Sequence, residues 1–166
     1  MLTSYRRILQ IPGTLLFSAT GMVARLPMSM ASLGIVLLVS TATGSYGLAG
    51  SVSAAYLIAN GAFAIAQGRL LDRLGQSRVL PVAVGVFGAA LALLMWSVQA
   101  DWPVAVSYLA AAVSGAALPA VGSCVRARWS HVLRSPDDLQ TAFALEAVVD
   151  ESVFMLGPIL VTAAVR

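Results

Sequence analysis

The chain has 166 residues, of which 59% are hydrophobic and only 10% charged, and its mean hydropathy is +0.88. A soluble domain carries about 25% charged residues, so too few remain here to coat a water-facing surface, and lipid is the expected solvent. The net charge of +3 is too small for a nucleic-acid-binding surface; one cysteine (Cys124) and one histidine (His131) exclude an internal disulfide and a usual zinc site. No cofactor is expected.

Arg6 and Arg7 stand before an apolar run that could pass for a signal peptide, with Ser29-Met30-Ala31 as a cleavage site. The apolar sequence continues to Val39, however, and Arg25 interrupts it. An uncleaved first helix is the better reading. About 20 predominantly apolar residues cross a ~30 Å hydrocarbon core. On that measure the expected spans are residues 14–39, 46–67, 79–98, 103–125 and 139–165. Together they form one transmembrane helical domain over 1–166, an all-α integral membrane fold of about five helices.

All ten basic side chains are arginines. Arg6 and Arg7 precede the first span, Arg69, Arg73 and Arg78 lie between the second and third, and Arg126, Arg128 and Arg134 lie between the fourth and fifth. The other two connections hold none. This alternation predicts a cytoplasmic N-terminus in a multi-pass cell-membrane protein. Ser135-Pro136-Asp137-Asp138 reads as the start of the fifth helix, and Asp101-Trp102-Pro103 as that of the fourth. Trp96, Trp102 and Trp129 fall near expected interfaces, and Gly85, Gly88 and the run 114–117 favour close helix packing.

Between the second and third spans the sequence reads GRLLDRLGQSRVL over residues 68–80. Gly68 allows close packing at a helix end, and Gly75 a positive φ in a tight turn. Asp72 wants an arginine or a helix N-terminus as partner. Gly68, Arg69, Leu70, Asp72, Arg73, Gly75, Arg78, Val79 and Leu80 resemble the signature loop of the major facilitator superfamily. Leu71 replaces a usually small residue, Leu74 a commonly aromatic one, and Gln76 and Ser77 commonly basic ones. The resemblance implies a secondary transporter in which Gly68, Asp72, Arg73, Gly75 and Arg78 help latch two halves together on the cytoplasmic side. It also implies a small-molecule substrate moved by alternating access, with protons as coupling ion and no enzymatic activity.

Ionisable groups inside the spans form the second signal. Arg25 lies about 16 Å into the first helix at ~1.5 Å per residue, and the fifth carries Glu146, Asp150 and Glu151. A central acid or arginine costs about 2.5–3.5 kcal/mol, so these groups should face protein or water. At 100° per residue Glu146, Asp150 and Gly157 fall within about 40° of one another, while Glu151 projects elsewhere. Asp150 and Arg25 share a depth, which predicts an ion pair, and Glu146 is expected to pair with Arg126. Arg25, Glu146, Asp150 and Glu151 are the candidate substrate or proton pathway, with helix register as their structural alternative. Pro27, Gly157 and Pro158 are expected kink positions. Gly157-Pro158 also resembles part of the fifth-helix motif of the superfamily's antiporters, without its following glycine pair, and so slightly favours efflux.

Five spans fall short of a six-helix half, and the resemblance implies twelve or more helices in two halves. The expectation is therefore an N-terminal fragment, ending before helix six, whose missing C-terminal half is its main protein partner. The competing function is a polytopic scaffold or subunit that transports nothing.

Overall fold

The computed structural model describes residues 2–164, with side chains from Tyr5 to Ala163. Val165, the expected end of the fifth span, lies outside the described residues. Seven α-helices and no strand occur among them: α1 Leu2–Leu9, α2 Thr14–Thr43, α3 Tyr46–Leu74, α4 Gln76–Gln99, α5 Val104–Ala116, α6 Val121–Val132 and α7 Pro136–Ala164. Four stretches are long and apolar enough to cross a membrane: α2, α3, α4 and Val104–Val132, which contains α5 and α6. Helix α7 has 29 residues but holds Glu146, Asp150 and Glu151 in its apolar part, and it is not one of the four. Large apolar side chains point outward from these helices, including Ile58 at 71% and Phe154 at 66% exposure. An all-α membrane fold results, in which each helix satisfies its own backbone hydrogen bonds, as lipid demands.

Residues 68–80 are not a loop. Helix α3 runs on through Gly68, Arg69, Asp72 and Arg73 to Leu74, Gly75 alone is non-helical, and α4 starts at Gln76. Leucine and arginine are good helix formers, so the helices continue past the apolar stretch. Gly75 has φ 82° and ψ 154° and donates its N–H to the Leu71 carbonyl. That backbone region is essentially restricted to glycine. Gly68 meets nothing within 4 Å of an added Cβ, so it packs against no neighbour there.

The fourth expected span, by contrast, is interrupted. Leu118 precedes Pro119, which disfavours helix at Leu118, and Pro119 has no N–H to donate. The chain leaves α5 after Ala116 and resumes helix only at Val121. Pro27 and Pro158, in contrast, lie inside α2 and α7, which continue through them.

Two compact units are present. One comprises the chain up to Ser29 together with Val121–Ala164, so it holds α1, the first half of α2, α6 and α7. Its apolar core is Ile8, Val125, Trp129, Leu133 and Ala142. Trp129 is therefore a core residue with no exposed surface, not an interfacial one, because its N–H finds a buried partner described below. Helix α1 is an addition to the expected elements, anchored by buried Ile8 and by an ion pair from Arg7 to Asp138 in the first turn of α7.

The other unit is Met30–Ala120, built from the rest of α2 with α3, α4 and α5. Its core gathers Ile35, Val39, Val52, Tyr56, Phe87 and Leu94. Helices α3 and α5 touch at backbone level, since a Cβ on Gly115 would strike the Tyr56 carbonyl oxygen. Gly85 and Gly88 have nothing within 4 Å of an added Cβ, so the close approach expected there occurs at Gly115 instead. Overpacking typically costs about 1–3 kcal/mol. Gly115→Ala should lower the thermal midpoint of the detergent-solubilised chain accordingly, whereas Gly85→Ala should leave it unchanged or slightly raised, as followed by circular dichroism.

Candidate functional site

The polar centre of the first unit is assembled by three helical repeats. Ser18 and Arg25 are seven residues apart on α2; Gly122, Arg126 and Trp129 recur at four and three on α6; Glu146 and Asp150 are four apart on α7. Each spacing returns to the same helix face. Three stripes thus meet inside the unit.

Glu146 is fully buried. Its Oε1 accepts hydrogen bonds from Ser18 Oγ and Trp129 Nε1, each at 2.9 Å. Its Oε2 lies 2.7 Å from Arg25 Nη2, an electrostatic contact whose angles fall outside hydrogen-bond geometry. Arg25, itself 5% exposed, turns its Nη1 to Asp150 Oδ1 at 3.0 Å. The other Asp150 oxygen accepts from Arg126 Nη2 at 2.5 Å. Two arginines and two acids therefore alternate in a chain of zero net charge. Asp150 is the more open of the two acids, with 26% of its side chain exposed, and Arg126 is more exposed still at 44%.

Gly122 on α6 lies beside the guanidinium. A Cβ at Gly122 would stand 3.7 Å from Arg25 Nε, an ordinary van der Waals contact. Trp129 meets the Phe17 ring edge-on at 4.8 Å between centroids, which fixes the indole that serves Glu146. Arg128 reaches the same Phe17 ring from 5.8 Å.

Of the residues singled out in sequence, Arg25, Glu146 and Asp150 come together. The expected Glu146–Arg126 pair does not form: Arg126 takes Asp150, and Glu146 takes Arg25, because Glu146 is sealed while Arg126 sits at the exposed end of the network. Glu151 is exposed and has no ion-pair partner among the described residues. Gly157 packs where α7 meets α2, since an added Cβ would collide with the Ser29 hydroxyl. In the other unit, Asp72, Arg73 and Arg78 are exposed, and Asp72 has no partner among the described residues. Ser18, Gly122 and Trp129 were not visible as site residues, although the i, i+4, i+7 spacing of Gly122, Arg126 and Trp129 carried the signal.

The family model for the Major Facilitator Superfamily matches residues 17–165. The chain belongs to the Major Facilitator Superfamily. It is thus a multi-pass membrane protein of a family of transporters, which are not enzymes. Neither the curated proteins nor the solved structures contain a match to it. Within this superfamily member, the match takes in α2 to α7 almost entirely, including the Gly75 turn and the whole charged network.

Removing one partner of a buried ion pair costs about 3–5 kcal/mol, because the other charge is stranded. Arg25→Leu should destabilise the solubilised chain by that amount, and Arg25→Leu with Glu146→Leu should recover much of it. Exchanging Arg25 and Asp150 should give poor rescue, since a carboxylate at position 25 would face Glu146. Trp129→Phe removes one of two donors to Oε1 and should cost about 1–3 kcal/mol. Thermal unfolding in one detergent orders these four variants.

Proposed function

We propose that the chain supplies part of a proton-coupled secondary transporter that moves a small molecule across the cell membrane by alternating access. The observation that carries this reading is the network of Arg25, Glu146, Asp150 and Arg126. Intramembrane ionisable groups cost several kcal/mol and are functional by default. Glu146 is held by two hydrogen-bond donors and by the charge of Arg25, and serves to fix Arg25. Asp150 is shared between a buried and an exposed arginine and is partly open, which suits it to exchange a proton as Arg126 releases it. Glu151 lies on another face of α7 and is a further acid on the same route.

Gly68, Asp72, Arg73, Gly75 and Arg78 act as the latch on the cytoplasmic side. Exposure of Asp72 supports this, since its carboxylate is available to a further set of helices supplied by the other half of the transporter. Pro27, Gly157 and Pro158 kink α2 and α7, and the Gly157-Pro158 pair tips the direction towards efflux. The arginines at 6–7, 69–78 and 126–134 favour a cytoplasmic N-terminus.

Two experiments test the proposal. In proteoliposomes holding the complete gene product, adding a transported compound should drive proton movement, read by an entrapped pH dye. Asp150→Asn should abolish the proton flux while keeping compound binding; an unchanged flux removes Asp150 from the pathway. For orientation, a thiol introduced by Ser77→Cys in a Cys124→Ala background should react with an impermeant reagent only after the cells are opened. Labelling of intact cells refutes the proposed topology.

A further inference from the structure

In the second unit, α4 separates two chemically different ends. Arg69, Arg73 and Arg78 cluster near its start, and its 24 residues span about 36 Å at ~1.5 Å per residue. At its far end a cavity of about 240 Å³ opens between α2, α3, α4 and α5. Its floor includes Val39, Val52, Ser97 and Ser107, all buried. The two serine hydroxyls bond to each other at 3.0 Å and Ser97 donates to the Leu94 carbonyl, so the floor is already satisfied.

The rim is different. It includes Asp101 and Trp102 in the connection from α4 to α5, with exposed Thr43 and Val104. Asp101 does not cap α5; it takes φ 52° between the two helices, and its carboxylate has no hydrogen-bond or ion-pair partner among the described residues. It is the one charged side chain lining the cavity. No arginine occurs in the sequence between Arg78 and Arg126, so no cation of this unit offsets it. Trp102, the next residue, lines the same cavity and is 44% exposed.

An uncompensated anion, an indole and apolar walls select a cation with an apolar body. Calcium or magnesium is a poor fit, because such ions gather six or more oxygens and only one carboxylate is offered. An alkylammonium ion needs far less: one carboxylate for its charge, and a tryptophan ring, the strongest of the aromatic cation acceptors. The volume falls below the ~300–1,000 Å³ of pockets for drug-sized ligands, which limits the guest to a few heavy atoms. The geometry points to a binding site for a small organic ammonium ion, held by Asp101 and Trp102 with its alkyl part against Val39, Leu48 and Val52. This site shares no residue with the charged network of the first unit and does not depend on the transport reading.

The test is equilibrium binding to the whole chain in phosphatidylglycerol nanodiscs, by calorimetry, with n-butylammonium as probe and 1-butanol as its neutral counterpart. Butylammonium should bind saturably and butanol should not. Asp101→Asn should weaken binding at least about tenfold, the scale of one ion pair in partly wet surroundings, and Trp102→Leu about two- to fivefold. Asparagine tolerates positive φ, so Asp101→Asn keeps the turn, and an unchanged thermal midpoint verifies that. Asp72→Asn should have no effect. If binding is lost when phosphatidylcholine replaces part of the lipid, the same site holds a lipid trimethylammonium group; if binding survives, the guest is a soluble amine. Equal binding of butanol, or indifference to Asp101→Asn, overturns the assignment.

Discussion

A carboxylate sealed from water has to find compensation inside the protein, and Glu146 imposes that requirement on its surroundings. Ser18, Trp129 and Arg25 each reach it from a different helix position, and the core of the first unit is packed around one of them, Trp129. The constraint runs outward from there. Arg25 is committed to Glu146 on one side, so its second arm fixes Asp150, and Asp150 in turn recruits Arg126. A site of this kind is costly to assemble piecemeal, since any single deletion leaves a buried charge behind.

The second unit contains no buried charge at all, and it is held by shape. Where lipid is as apolar as leucine, helices gain little by hiding apolar side chains, and close packing replaces the hydrophobic effect. The contact of Gly115 with the Tyr56 backbone is the clearest instance. Serine pairs, Ser32 with Ser53 and Ser97 with Ser107, add interhelical hydrogen bonds. Many leucines, valines and isoleucines are left on the outside, as the lipid requires.

Much of this was legible in the sequence because the physics involved is local. Apolar length gives spans, and 100° per residue places Glu146 and Asp150 on one face. Depth along a helix matched Arg25 to Asp150. What stayed hidden depended on which helices become neighbours. Nothing local says that Trp129 turns inward to Glu146, or that Arg126 prefers Asp150, because both choices are made across helices. Likewise Gly85 and Gly115 look equivalent as small residues, and only the crossing point tells them apart. Two local features nonetheless run against the apolar pattern. The polarity of residues 68–74 reads as a loop although their helix propensity carries α3 through to Leu74, and Pro119 breaks the helix within an apolar run long enough to span.

The single residue that joins α3 to α4 has a mechanical meaning. Successive Cα atoms are about 3.8 Å apart, so Gly75 provides a tether with no slack between a 29-residue and a 24-residue helix. Neither helix can slide along its axis by a full ~5.4 Å turn without dragging the other. They travel as one hairpin, during membrane insertion and in any later rearrangement, and only swivelling about that joint is left to them.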